Sequence, residues 1–235
     1  MKIEILYEET CNLYGDPQNA AYLKASVPDA EFIRTALGNR PFFADNRPDM
    51  IIMGSMSEST QRKVIEALRP YTERIKELID DGVVFLITGN ASEVFSRHIS
   101  YVTEEIETDG LGILDYTVRT DWFKRFNCKV LAKFGDMTVT GFRSQFGMVS
   151  GDNSGEFFIE VMRGTGMNVN NRFEGVRRKN FFATQLLGPI LPLNPLFCEY
   201  LIDLAGENAS AAYRTEAMAA YEQRVKEFSD PNTVF

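Results

Sequence analysis

One histidine, three cysteines and one tryptophan in 235 residues leave little room for several common chemistries. With His98 alone, most histidine-dependent dyads and histidine metal sites are excluded from the start. Cys11, Cys128 and Cys198 are odd in number and widely spaced, a pattern of reduced thiols and not of a disulfide framework or a zinc site. Nothing here calls for a metal or a cofactor. Basic residues are outnumbered, 25 Lys and Arg against 33 Asp and Glu, so the formal charge is -8. Nucleic-acid binding relies on clustered cations that release counterions, and that balance argues against it. The one small basic cluster, Arg177, Arg178 and Lys179, reads as a solvated surface feature. No stretch approaches the roughly 18 uninterrupted apolar residues of a membrane span. Met1 leads into KIEILY without a cationic leader or cleavage site, so a cytoplasmic location is expected.

What is present is the material of a sizeable core: 44% hydrophobic and 25% charged residues. There is no repeat, low-complexity tract or long linker, and one domain over residues 1–235 is expected. Short apolar runs alternate with helical patterns in the first half: KIEILY (2–7), a helix from about Asp16, AEFIRTAL (30–37), DMIIMG (49–54), a helix from about Glu58, and VVFLI (83–87). This alternation predicts a parallel, doubly wound sheet. Asp16-Pro17 reads as an N-cap followed by proline at the first helical position. Pro70 predicts a kink or two successive helices. After Gly110 the pattern turns β-rich, at 128–134, 136–142, 156–162 and 179–186, and helical patterns close the chain at 195–206 and 211–228.

The segment FLITGNASEVF (85–95) joins an apolar strand directly to a helical pattern. Such a turn often lifts a nucleophile above a sheet. Thr88 stands at its apex with no obvious base, and its plain reading is a helix cap. Glu93 falls in the first turn after the elbow, where a carboxylate favours the helix dipole. His98 is expected on the same helix, on the order of 15 Å from Thr88 at 1.5 Å per residue. Cys11 lies where strand C-termini gather, the usual place for ligands in open α/β sheets, and its plain reading is packing.

Taken in order, NLYGDPQNAAYL (12–23), PDMIIMG (48–54), the elbow at 83–95, GLGILD (110–115), TGF (140–142) and FEGVRRKNFFATQLLGPILPLNP (173–195) resemble the cobyric-acid-synthase-like class I glutamine amidotransferases. The nearest branch is the one whose glutaminase subunit works beside a Mur-ligase-like subunit. The resemblance covers almost the whole chain. It implies a three-layer, flavodoxin-like α/β fold with a mostly parallel central sheet, and a synthetase as partner.

It also implies a site, residue by residue. The family's elbow CGGYQ falls on Thr88, Gly89, Asn90, Ala91 and Ser92, so threonine stands at the nucleophile's position. The family's HGPLLP falls on 187–192, so Leu187 stands where the assisting histidine would. The GGG turn that shapes the oxyanion region falls on Gly54, Ser55 and Met56, with one glycine kept. A threonine hydroxyl needs an adjacent base, and leucine supplies none. The expectation is a glutaminase-like domain without glutaminase activity, acting as a structural or regulatory partner of a Mur-ligase-like or other synthetase. The alternatives are an enzyme of altered chemistry, working through Thr88, Glu93, Asp16 or Cys11, and a small-molecule binding module that uses the same cleft.

Overall fold

The computed structural model describes residues 1–234. The first half builds strands β1 (Lys2–Leu6), β2 (Glu31–Thr35), β3 (Met50–Met53) and β4 (Val84–Thr88) with helices α1 (Pro17–Ser26), α2 (Glu58–Leu68) and α3 (Thr72–Asp80). Pro17 opens α1, where its missing N–H leaves no bond unmade. Ser57 caps α2 by accepting from the Thr60 N–H at 3.3 Å. A 3-10 turn at Arg69–Tyr71, holding Pro70, separates α2 from α3, the two successive helices expected there.

The second half adds β5 (His98–Tyr101), β6 (Ile106–Asp109), β7 (Tyr116–Thr120), β8 (Phe126–Phe134), β9 (Met137–Gln145), β10 (Gly147–Gly151), β11 (Ile159–Arg163), β12 (Phe173–Glu174), β13 (Val176–Arg178) and β14 (Phe181–Thr184). Helices α4 (Ile190–Leu193), α5 (Pro195–Leu204) and α6 (Arg214–Ser229) follow. Of the α6 side chains only Tyr221 is buried, so the apolar stripe read at 211–228 is a thin one.

The central sheet runs β13-β14-β4-β3-β1-β2, parallel except for the β13–β14 pair. Successive strand residues point to opposite faces. Ile51, Met53, Phe85 and Ile87 therefore enter one core with α2, α3 and the sheet β10-β7-β5-β6. Met50, Ile52, Val84 and Leu86 enter the other core, with α1, α5 and the sheet β12-β11-β8-β9. The expected mostly parallel central sheet is present, and each of its faces carries a small sheet as well as helices.

Two local expectations fail. The segment after β4 is a seven-residue 3-10 helix, Gly89–Phe95, and His98 lies on β5 instead of on a helix. The cause is the GLGILD loop: Leu111 N–H donates to the Val94 carbonyl at 2.9 Å, and Ile113 and Leu114 donate to Phe95 at 3.0 and 2.8 Å. Those carbonyls are thereby unavailable to a longer helix. The basic cluster is not merely solvated either. Arg177 lies over the rings of Phe134, Phe182 and Tyr200, Arg178 pairs with Glu156, and Lys179 pairs with Asp80.

The outer edge of β9 is closed by side chains and one bridge. Asn194 accepts from the Thr140 N–H at 2.7 Å and donates to its carbonyl at 2.8 Å. Phe142 and Leu187 exchange backbone bonds at 2.9 and 3.4 Å, which carries Leu187 to the C-terminal end of β4.

Candidate functional site

Three segments converge at the C-terminal edge of the central sheet. The NLYGD turn, the Gly54–Met56 turn after β3 and the elbow after β4 are tied together by one buried carboxylate. Asp16 Oδ2 accepts from the Ser55 N–H at 2.6 Å, from Ser55 Oγ at 2.6 Å and from Thr88 Oγ1 at 2.9 Å. The side chain read as an N-cap makes no capping bond to α1; it faces the elbow. A side chain at Gly54 would press on Asp16 Cβ at 2.7 Å, so glycine there permits this close approach. Burial pushes the Asp16 carboxyl above the usual carboxylate range, and the three donated bonds partly offset it.

Thr88 ends β4 in extended backbone, φ -115° and ψ 150°, paired with Thr184. The left-handed residue at the apex is the next one, Gly89, with φ 58°. Elbow nucleophiles sit on that strained turn position. Here it carries no side chain, and a Cβ would overlap Ser55 Oγ and lie 2.8 Å from Leu187 Cδ2. Thr88 itself is fully buried, and its hydroxyl binds Asp16 instead of capping the following helix. The expectation that no base stands beside it is thus corrected: Asp16 touches it, though neither residue lines the cleft.

The turn that would supply backbone donors is occupied as well. Asn90 reaches across, its Oδ1 accepting from the Met56 N–H at 2.9 Å and its Nδ2 donating to the Met56 carbonyl at 2.7 Å. With Ser55 N–H held by Asp16, both successive N–H groups of the turn are satisfied internally. This clamp was not legible beforehand, because an asparagine side chain in a loop has no periodic signature.

A cleft of about 140 Å³ opens over the apex. Met56, Gly89, Asn90 and Leu187 line it, together with Leu13, Tyr14, Glu58, Glu93 and the β9–β10 turn, residues 144–147. Gly54, Ser55 and Thr88 lie behind this lining, and Ser92 bonds the Gly89 carbonyl at 2.8 Å while facing a separate small cavity. Glu93 is the group that sequence reasoning underrated. It is 2% exposed, accepting from Gln61 Nε2 and Gln185 Nε2, both at 3.0 Å. Burial pushes its carboxyl up to about 7; the two amide bonds lower it, Glu58 raises it and Arg143 lowers it.

The remaining candidates fall outside the cleft. Cys11 is buried with its thiol 3.9 Å from Met56 Sδ, and burial pushes the thiol up to about 12, so it stays protonated near neutral pH. His98 lies between Asp109 at 2.9 Å and Glu107 at 2.6 Å, which hold its imidazole above the usual range. Among the described residues no group of three His, Cys, Asp or Glu is placed to hold a metal ion, and no helix is long and apolar enough to cross a membrane.

The chain is similar to two proteins named lipid II isoglutaminyl synthase (glutamine-hydrolyzing) subunit GatD. The Staphylococcus aureus (strain N315) protein is 29% identical over 160 residues, 68% of this chain. That match spans 64% of the staphylococcal protein's own length, just under two thirds. The Streptococcus pneumoniae (strain ATCC BAA-255 / R6) protein is 27% identical over 210 residues, 87% of this chain and 80% of that one. No protein-family model matches. Among solved structures, PurLQS from Thermotoga maritima superposes with a TM-score of 0.54 at 11% identity, over 95% of this chain and 98% of that one. A glutamine amidotransferase superposes with a TM-score of 0.54 at 15% identity, over 87% of this chain and 99% of that one. The fold is that of the glutamine amidotransferases, and the chain is glutamine amidotransferase-like.

Proposed function

We propose that this chain is a glutamine amidotransferase-like subunit of the cobyric-acid-synthase-like branch that has lost glutaminase activity. It serves as a non-catalytic or regulatory partner of a Mur-ligase-like or other amide-forming synthetase in the cytoplasm. The observation that carries the reading is the elbow apex: Gly89 offers no nucleophile, and Leu187 packs against it. Thr88, the position matched to the family cysteine, is sealed behind the cleft and bound to Asp16. Glutamine hydrolysis by this fold class requires a nucleophile, a proton carrier and backbone donors for the oxyanion. The first two are missing from the cleft, and the donors of Ser55 and Met56 are already bonded.

A second reading, binding of a small molecule without turnover, is favoured by one observation: the cleft remains open over the altered apex. A partner role and a ligand-binding role are compatible.

The purified chain should release no ammonia from glutamine above background. Thr88→Cys with Leu187→His should restore little, because the apex is still Gly89 and the Ser55 and Met56 donors are still engaged; removal of one oxyanion donor alone lowers rate by about 10² to 10³. Ammonia release by the wild type overturns the non-catalytic reading. Co-expression with a Mur-ligase-like synthetase should yield a complex stable to size exclusion without glutamine, and separate species there would overturn the partner role.

A further inference from the structure

Behind the elbow lies a second, smaller cavity of about 20 Å³. Ser92, Tyr116 on β7, Glu174 on β12 and Gln185, just past β14, supply its polar lining, and Val149 and Ala183 add apolar wall. Gln185 is 5% exposed and joins two buried carboxyls. Its backbone N–H donates to Glu174 Oε1 at 2.7 Å, and its side-chain Nε2 donates to Glu93 Oε1 at 3.0 Å. Glu93 is no part of this cavity's lining, so the nitrogen end of the amide is turned away from it. The oxygen end, Oε1, is buried and receives no hydrogen bond from any described protein group. A buried acceptor in that position has lost its solvation and gained no bond in return.

The other side chains of the polar lining have their protons engaged. Tyr116 Oη donates to the Ser92 carbonyl at 2.7 Å, and Ser92 Oγ donates to the Gly89 carbonyl at 2.8 Å. Glu174 accepts from the Gln185 N–H and, at 2.7 Å, from Thr184 Oγ1, which leaves open about two of a carboxylate's four acceptor positions. These side chains present acceptors to the cavity, so its occupant has to donate. Size and charge narrow the choice. One water needs roughly 10 to 15 Å³ of such space and two to four polar partners, and about 20 Å³ leaves no room for a molecule of several heavy atoms. The Arg143 guanidinium from β9 already answers the buried charge of Glu174, so a neutral donor suffices.

We propose that this cavity binds one ordered water, which donates to Gln185 Oε1 and gives its second proton to another acceptor of the lining. The water acts as a positioning group. Gln185 stands two residues before Leu187, and with Glu93 holding one end of its amide and the water the other, the segment that lays Leu187 on the elbow apex is fixed. An amide whose oxygen accepts a bond is also the better N–H donor, so the water strengthens the bond from Gln185 to Glu93. This cavity is separate from the cleft, and its water is independent of any turnover of glutamine there.

The test is oxygen-17 relaxation dispersion of water in solutions of the purified chain and of Gln185→Met, together with water-to-methyl nuclear Overhauser effects. Oxygen-17 follows the water molecule itself, so exchange of the Tyr116 hydroxyl proton does not imitate it. The wild type is expected to show contacts from water to the Val149 and Ala183 methyls, and a dispersion amplitude larger than the variant's by the share of one long-lived water. Gln185→Met keeps a side chain of similar length and removes the acceptor, so in the variant those contacts should fall below detection.

No water contact at either methyl in the wild type, or an equal dispersion amplitude in a folded Gln185→Met protein, would each overturn the proposal. If Gln185→Met fails to fold, a crystal structure of the wild type decides. A water oxygen within roughly 3.2 Å of Gln185 Oε1 bears the site out, and a protein donor in its place or an empty cavity overturns it.

Discussion

Glu93 shows how much one side chain can imply when its surroundings are counted. Its carboxyl moves from an ordinary 4.5 to about 7 because burial outweighs the two donated amide bonds. The native state therefore retains a proton that the unfolded state has released. Stability from this source is fully present below about pH 4.5 and is lost as pH rises through 7, by about 3 kcal/mol in all. Glu93→Gln keeps the shape and does not titrate, so urea unfolding of the two proteins should show their stability difference drifting toward the variant by that amount between about pH 4.5 and pH 7.5. The raised carboxyls of Glu4, Asp16 and Glu174 are common to both proteins and cancel in the difference. No drift would mean that the Glu93 carboxylate is ionised without penalty.

At the scale of elements, the clamp from Asn90 to Met56 joins the elbow to the turn after β3 through two backbone groups. Asn90→Ala should lower stability by about 1 to 3 kcal/mol, because it removes two hydrogen bonds to partly buried backbone groups. Hydrogen exchange should quicken at the Met56 amide and stay slow at Ser55, whose N–H is held by Asp16; equal exchange at Met56 in both proteins would refute the clamp. The central strands were legible because apolar runs such as VVFLI and DMIIMG sit between helical patterns that have only one way to cover them. The break at Pro70 was legible for a local reason, the missing N–H. The 3-10 form of the elbow segment was not, since its carbonyls are claimed by Leu111, Ile113 and Leu114, a non-local competition that periodicity cannot register. The site was half legible for the same reason. The turn, the elbow and the loop of Leu187 could be placed in order along the chain, whereas the reach of Asp16 and Asn90 between them depends on tertiary geometry.

For the molecule as a whole, one sheet serves two cores. Alternate residues of β3 and β4 divide between them, so neither face of the sheet is stable without its own cover. Charge is handled at this scale as well. Arg177 is placed over three aromatic rings, and its two basic neighbours pair with acids. With a formal charge of -8, association with a basic partner surface should slow as salt rises, and with an acidic one it should quicken.

The pairing of β14 with β4, and the bond from the Leu191 N–H to Asn19 Oδ1 at 2.9 Å, join parts of the chain made far apart in time. Asn19 and Leu191 are 172 residues apart. At roughly 5 to 20 residues per second, a ribosome needs roughly 9 to 34 s to deliver the second partner after the first. Thr88 of β4 and its register partner Thr184 of β14 are 96 residues apart, so for roughly 5 to 19 s β4 has one neighbour in place of two, and its open edge is a template for wrong pairing. Nascent chains arrested before residue 181 clears the ribosome should be cut readily by protease within residues 1–100, and chains arrested well past residue 204 should resist. Equal resistance at both lengths would show that the first half closes on its own.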